Sequence, residues 1–197
     1  MGQMQSFNWR KNRMKIASGV AVLALSATTV ASVDAAALKS GIAPGSKPAA
    51  FFVLDATGPS EGKTLCYRCR YGARPTVTIF TKEMTPEVTS LVKELDGQVA
   101  KNSDKKMAAF GVLLTNDPKA TDAQLKKVAK DAGIKNIPLT TYDDTAGPAD
   151  YELSSDAAVT VLMWVESNVK VNHAFSSAKL GSADLKKITA DTAKILN

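Results

Sequence analysis

The two cysteines of the chain, Cys66 and Cys69, are separated by two residues, and this spacing suits three kinds of chemistry. They could exchange a disulfide with a partner thiol, form a permanent local disulfide, or supply half of a metal site. Arg68 and Arg70 lie beside them, and a neighbouring positive charge favours the thiolate. Because the thiolate is the nucleophile in disulfide exchange, these arginines are compatible with a redox-active pair.

The alternatives to exchange differ in what else they require. A permanent disulfide would stiffen the segment in an oxidising compartment, but a ring of four residues constrains little chain and would stabilise the fold only modestly. A zinc site would need two further ligands, and His173 is the only histidine, so no metal site is predicted. Arg70 follows Cys69 where covalent haem attachment needs a histidine, and we expect no cofactor.

Residues 1–36 are predicted to be a signal peptide, which would place the thiols in an oxidising compartment. The segment has an apolar stretch at residues 16–33 and small residues at 34–37, and its basic start comprises Arg10, Lys11, Arg13 and Lys15. We expect the protein to be exported, to a periplasm or to the medium. The alternative is an uncleaved anchor, so contact with a membrane is expected only through this segment.

The formal net charge of +6 belongs largely to the signal peptide. Its removal takes away four basic residues and one acidic residue, which leaves +3. The remaining lysines alternate with acids and form no dense basic block, so no nucleic-acid partner is predicted. Residues 37–49, rich in Gly, Pro, Ser and Lys, are predicted to be a flexible lead, and residues 50–197 a single domain.

Hydrophobic periodicity predicts strands that alternate with helices in this domain. A β-branched run at 76–81 is continuous enough to be a central strand buried on both faces. Further strands are predicted at 50–55, 108–114 and 137–142, a hairpin at 159–175 with its turn at 166–168, and helices at 85–99, 121–132 and 182–196. Thr121 or Asp122 is the predicted cap of the second helix. The cysteines fall in a predicted loop, residues 62–74.

This order of elements resembles the thioredoxin fold. The motif Phe-Val-Leu-Asp at 52–55 is followed by Gly58 and then by a strand at 74–80 that begins Arg-Pro and continues with hydrophobic residues. This combination resembles the corresponding segment of exported thioredoxin-like proteins of the peroxiredoxin and thiol-disulfide reductase type. The resemblance implies an α/β three-layer sandwich in which a mixed central sheet carries helices on both faces.

The chain departs from this family at the active site that the resemblance implies. In the family the redox cysteines follow the central strand and open the next helix, but residues 81–86 contain no cysteine. The family also has a cis-proline before the third sheet strand, and the matching residues 155–160 contain no proline. The resemblance therefore implies a family member without the usual active-site cysteines and cis-proline. Its two cysteines lie before the central strand, whereas those of the family follow it.

Two functions remain open. The sequence favours a non-catalytic binding or scaffold module with a Cys66–Cys69 disulfide, because both halves of the usual site are missing. The alternative is a thiol-disulfide oxidoreductase that uses this displaced pair, in which Cys66 would by convention attack. A protein or peptide partner is expected at an aromatic and cationic patch formed by Tyr67, Arg68, Arg70, Tyr71 and Arg74.

Overall fold

The computed structural model describes Met1 and residues 38–196, and the predicted signal peptide lies outside them. Seven strands form one sheet in the order β2-β1-β5-β4-β3-β6-β7. Their bounds are β1 Val53–Asp55, β2 Thr64–Leu65, β3 Thr76–Thr81, β4 Ala108–Thr115, β5 Leu139–Asp143, β6 Val159–Val165 and β7 Asn168–Phe175.

The sheet is mixed. Strands β3, β4 and β5 run parallel to one another, while β1, β2, β6 and β7 pair antiparallel with their neighbours. All six residues of β3 are buried, and the strand pairs with β4 on one side and β6 on the other. This matches the interior strand that its unbroken apolar and β-branched run predicts.

Residues 38–196 also form five α-helices and one 3₁₀ turn, Ala149–Tyr151. The helices are α1 Tyr67–Tyr71, α2 Pro86–Lys101, α3 Pro118–Ala132, α4 Ser182–Asp191 and α5 Ala193–Leu196. None of the helices within residues 38–196 combines the length and apolar character needed to cross a bilayer.

Helix α2 begins where the sequence predicts, since Thr85 Oγ1 accepts the N–H of Val88 at 3.2 Å and Pro86 takes the first helical position. Helix α3 begins earlier than predicted. Its cap is Asp117, whose carboxylate accepts the N–H of Ala120 at 3.0 Å, and not Thr121 or Asp122.

Three further predicted boundaries are corrected. The helix predicted at 182–196 is divided at Thr192 into α4 and α5. The strand predicted at 50–55 is reduced to β1, because its partner β2 has only two residues and β5 pairs only with Leu54 and Asp55. The predicted loop at 62–74 contains β2 and α1, too short to give a periodic signal.

Both faces of the sheet are covered, but by different kinds of structure. The four later helices α2 to α5 pack on one face around a core of aliphatic side chains. Helix α1, the 3₁₀ turn and the segment at 38–52 cover the other face, which holds an aromatic cluster of Phe51, Tyr67, Phe80, Phe110, Tyr151 and Trp164.

Part of the predicted flexible lead packs on this aromatic face. Ser40 and Ile42 are buried, the N–H of Gly41 donates to the carbonyl of Glu152 at 2.9 Å, and the N–H of Gly45 donates to Val169 at 2.8 Å. The segment therefore adds to the cover of the sheet before the predicted domain start at residue 50.

Candidate functional site at the Cys66–Cys69 disulfide

Cys66 and Cys69 form a disulfide that closes the first turn of α1. Cys66 is the N-cap residue, and its Sγ accepts the backbone N–H of Cys69 at 3.0 Å. The first N–H groups of a helix have no partner within the helix, so a side-chain acceptor at the cap satisfies one of them. The sulfur of Cys66 fills the position that a Ser or Asp oxygen occupies in most helix caps.

The two cysteines differ in their access to solvent. Cys66 is buried, with 8% of its surface exposed, whereas Cys69 is exposed. A molecule in solution therefore meets the disulfide on the Cys69 side.

Tyr67 ties this segment to the core. Its hydroxyl donates to Asp55 Oδ2 at 2.7 Å, and its ring stacks on Phe110 with centroids 5.5 Å apart. The fully buried Asp55 also accepts the backbone N–H groups of Gly58 at 2.6 Å and Ser60 at 2.8 Å. Burial raises the pKa of Tyr67, and the hydrogen bond to the carboxylate of Asp55 raises it further, so the hydroxyl stays a neutral donor.

The turn at 58–60 fits closely against this pair. A Cβ added to Gly58 would lie 2.3 Å from Tyr67 Oη and 2.7 Å from Asp55 Oδ2, which leaves room only for glycine. Asp55, Gly58 and Ser60 were not predicted to belong to the site. The signal was present as an Asp at the end of a strand with Gly and Ser three and five residues later, a spacing typical of a carboxylate that closes a turn.

The predicted patch residues do not share one surface. Tyr67 is 1% exposed and faces the core, while Tyr71 is half-buried beside it, and burial raises the pKa of Tyr71 to about 12. Arg74 lies over the Tyr71 ring, 5.1 Å from its centroid, and donates to the carbonyl of Lys106 at 2.7 Å. Only the arginines and the edge of Tyr71 are therefore available to a partner.

Arg68 and Arg70 lie near the disulfide and have no acidic partner among the described residues. Arg68 Nε donates to the carbonyl of Pro48 at 2.9 Å, and Arg70 Nη1 donates to Ser60 Oγ at 3.1 Å. Within residues 38–196 neither forms an ion pair, and the nearby Glu61 pairs with Lys126 at 2.7 Å. The disulfide therefore lies in a region of positive charge.

His173 bonds to side chains of α4. Its Nε2 lies 2.9 Å from Asp191 Oδ2, and its Nδ1 lies 3.3 Å from Lys187 Nζ. An ammonium can only donate, so Nδ1 accepts from Lys187 and Nε2 carries the proton that is donated to Asp191. Both ring nitrogens are occupied. In the part of the chain that the structure describes, no three or more His, Cys, Asp or Glu side chains form a metal-binding group.

No protein-family model matches the sequence, and no curated protein matches it. Solved structures do match. A proposed protein disulfide isomerase from Bacteroides thetaiotaomicron aligns over 81% of this chain and 94% of its own, with a TM-score of 0.60 and 12% identity. A proposed thiol:disulfide interchange protein, DsbE, from Chlorobium tepidum covers 79% of this chain and 99% of its own, at a TM-score of 0.60 and 15% identity.

A secreted Mycobacterium tuberculosis disulfide oxidoreductase homologous to DsbE of E. coli covers 74% of this chain and 96% of its own, with a TM-score of 0.50 and 10% identity. Together with the mixed sheet and its helices, these matches decide the fold. The chain has a thioredoxin-like fold. The predicted fold class is thus confirmed.

In this thioredoxin-like fold the stretch at 81–86, which joins β3 to α2 and has no cysteine, is held by hydrogen bonds. Lys82 Nζ donates to the carbonyl of Ser155 at 2.6 Å, and Thr85 Oγ1 donates to the carbonyl of Ala178 at 2.9 Å. All peptide bonds within residues 38–196 are trans. These hydrogen bonds tie the stretch to the loops at Ser155 and Ala178, and the disulfide lies at α1 instead.

Proposed function

We propose that this chain is an exported thiol-disulfide exchange protein whose redox pair is Cys66 and Cys69. The observation that carries the proposal is the exposure of Cys69, which opens the disulfide to a partner thiolate, at the start of a helix among unpaired arginines. Reactive cysteines lie in such partly exposed, electropositive surroundings at helix N-termini and in Cys-X-X-Cys segments.

A redox role also requires that the bond can open without loss of the fold. Helix α1 has other anchors, because Tyr67 bonds to Asp55 and the rings of Tyr67 and Tyr71 both pack on Phe110. A four-residue ring restricts the unfolded chain only slightly. The disulfide is therefore free to cycle while α1 stays in place.

The binding module with a fixed disulfide, which the sequence alone favours, becomes the second candidate. Its support is the charge of Arg68, Arg70 and Arg74, which have no acidic partner among the described residues and would attract an acidic peptide. The objection that catalysis would need a relocated site loses force, because the surroundings of Cys69 suit such a site.

Export remains part of the proposal. It rests on the basic, apolar and small-residue pattern of residues 1–36, and the similar M. tuberculosis protein is described as secreted. An oxidising compartment, periplasm or medium, is where a stable disulfide of this kind persists.

The reduction potential of the pair tests the proposal. Purified protein is equilibrated with glutathione buffers and the oxidised fraction is measured, with an insulin-reduction assay in parallel and C66S and C69S as controls. We expect a potential between about −120 and −270 mV, with turnover that both substitutions abolish. A potential below about −300 mV without turnover is typical of a structural disulfide and would favour the binding module.

A further inference from the structure

We infer that a partner thiolate attacks the sulfur of Cys69 and that Cys66 departs as the thiolate. This inference rests on the proposed exchange function and fixes its direction at the site. It reverses the convention, followed in the sequence analysis, that the first cysteine of the pair is the one that reacts with the partner.

Access is the first reason. A thiolate approaches a disulfide along the S–S axis from the side opposite the leaving sulfur, so the attacked sulfur must face the partner. Cys69 is exposed, whereas Cys66 is 8% exposed and precedes the buried Tyr67. A protein partner therefore reaches Cys69 more readily than the buried Cys66.

The environment of the leaving group is the second reason. Cys66 Sγ already accepts the N–H of Cys69 at 3.0 Å, and this bond would strengthen when the sulfur becomes a thiolate. No donor contacts Cys69 Sγ within residues 38–196. Since a better-stabilised thiolate leaves faster, bond cleavage toward Cys66 is favoured.

Arg70 adds charge on the same side. It follows Cys66 by four residues and donates its backbone N–H to the carbonyl of Cys66 at 3.0 Å, which places both residues on one face of α1. Its guanidinium is held by Ser60 Oγ and not by an acid. Arg70 therefore adds a positive charge to the face of α1 that carries Cys66.

The step is balanced with a protein or peptide dithiol as partner. Its first thiolate forms a bond to Cys69 Sγ as the Cys66–Cys69 bond breaks, and the electron pair of that bond goes to Cys66. The second partner thiolate then attacks the partner sulfur in the mixed disulfide and releases Cys69 as a thiolate. The partner loses two electrons, the Cys66 and Cys69 pair gains them, and the two protons of the partner thiols pass to the two cysteines.

The attacked sulfur can be read directly from the unaltered protein. Oxidised protein is mixed briefly with reduced glutathione, quenched in acid, and alkylated to label the sulfur that was released. Trypsin cleaves after Arg68 and so separates the two cysteines for mass spectrometry. We expect glutathione on Cys69 and the alkyl label on Cys66, with an excess of about tenfold over the reverse pattern.

Each outcome decides a different claim. Glutathione mainly on Cys66, or equally on both, would overturn the direction and leave the exchange function standing. No adduct on either cysteine under native conditions, with the same adducts forming in denaturant, would overturn both the direction and the proposed function. The denatured sample also controls for the intrinsic reactivity of the two sulfurs.

Variants of Arg70 test the stabilisation of the leaving group. We expect R70Q to slow the glutathione reaction by about threefold, R70K to restore it, and K170Q, which removes an exposed positive charge from β7, to leave it unchanged. Because lysine keeps the positive charge but not the planar guanidinium, rescue by R70K would assign the effect to charge. Equal rates for R70Q and unaltered protein would overturn the role of Arg70.

Discussion

Tyr67 connects the disulfide segment to a buried carboxylate, and this residue sets how firmly α1 is held. Its hydroxyl is one of three donors to Asp55, which has no exposed surface. In Y67F the ring stays but the carboxylate loses a donor. A buried carboxylate that loses a hydrogen-bond donor destabilises the fold. We therefore expect Y67F to lower the free energy of unfolding, measured in urea, by about 1–3 kcal/mol.

The matched control is Y71F. Tyr71 packs in the same aromatic group, but its hydroxyl donates to the carbonyl of Ala109 over 3.5 Å, at the limit of a hydrogen bond. Y71F should therefore change the stability much less than Y67F. Losses of equal size would mean that the contact with Asp55 contributes nothing specific.

The sequence shows the two cysteines of this site but not their surroundings. Cys66 and Cys69 are visible as a pair because spacing alone carries the information. The role of Asp55 depends on its complete burial and on Tyr67, twelve residues away, turning inward, and neither follows from local pattern. For the same reason Tyr67 was predicted to belong to a surface patch.

The turn between β6 and β7 adopts a conformation that its residues disfavour. Glu166 and Ser167 have φ angles of 54° and 58°, the left-handed pair that a two-residue hairpin turn requires and that Asn-Gly suits best. We expect E166N/S167G to stabilise the protein by about 1 kcal/mol in thermal or urea unfolding. The control is G133A at the end of α3, where φ is 62° and alanine should destabilise.

Asp96 joins α2 to the segment that leads into β5. Its Oδ1 accepts three backbone N–H groups, from Lys135, Asn136 and Ile137, and its Oδ2 accepts the side-chain amide of Asn136. In D96N one of these oxygens becomes an N–H₂ group facing donors. We expect a loss of about 1–3 kcal/mol in the free energy of unfolding.

The exposed Asp104, which makes no hydrogen bond or ion pair within the described residues, provides the control for D96N. D104N removes the same charge and should leave the unfolding midpoint unchanged. A similar loss in both variants would point to net charge, and not to the hydrogen bonds of Asp96, as the cause.

The elements differ in how far the sequence predicts them. Strand β3 and helix α2 were predictable, because the apolar run indicates a buried strand and the long amphipathic repeat indicates a helix. Helix α1 was not, since five residues with a cysteine cap give no periodicity and its place depends on Tyr67 in the aromatic cluster. The start of α3 was missed because Asp117-Pro118 precedes the apolar repeat by a full turn.

For the whole molecule, the proposed function requires that the reduced protein keeps its fold. Loop-entropy arguments give a four-residue ring a stabilisation of only about 2 kcal/mol. We expect reduced protein to show the same circular dichroism as oxidised protein and a urea midpoint lowered in line with that figure. Unfolding on reduction would identify the disulfide as structural and contradict its use in a redox cycle.

The stability of the whole molecule should also fall in mild acid, because His173 is the only histidine and is held neutral between β7 and α4. Burial lowers the pKa of His173 below its ordinary 6.5, and the positive charge of Lys187 lowers it further. The hydrogen bond to Asp191 acts in the opposite direction but is the weaker effect. Between the lowered value and 6.5 the unfolded chain binds a proton that the folded chain does not. The free energy of unfolding must then decrease as the pH falls through this window.

Urea unfolding at a series of pH values from neutral to mildly acidic measures this decrease, and H173Q should remove it. Asp191 does not interfere in that range. The hydrogen bond with Lys194 lowers the pKa of Asp191 below 3.8, so its contribution is lost only in stronger acid. If the protein and H173Q lose stability in parallel, a group other than His173 is responsible, and the contact between β7 and α4 does not respond to pH.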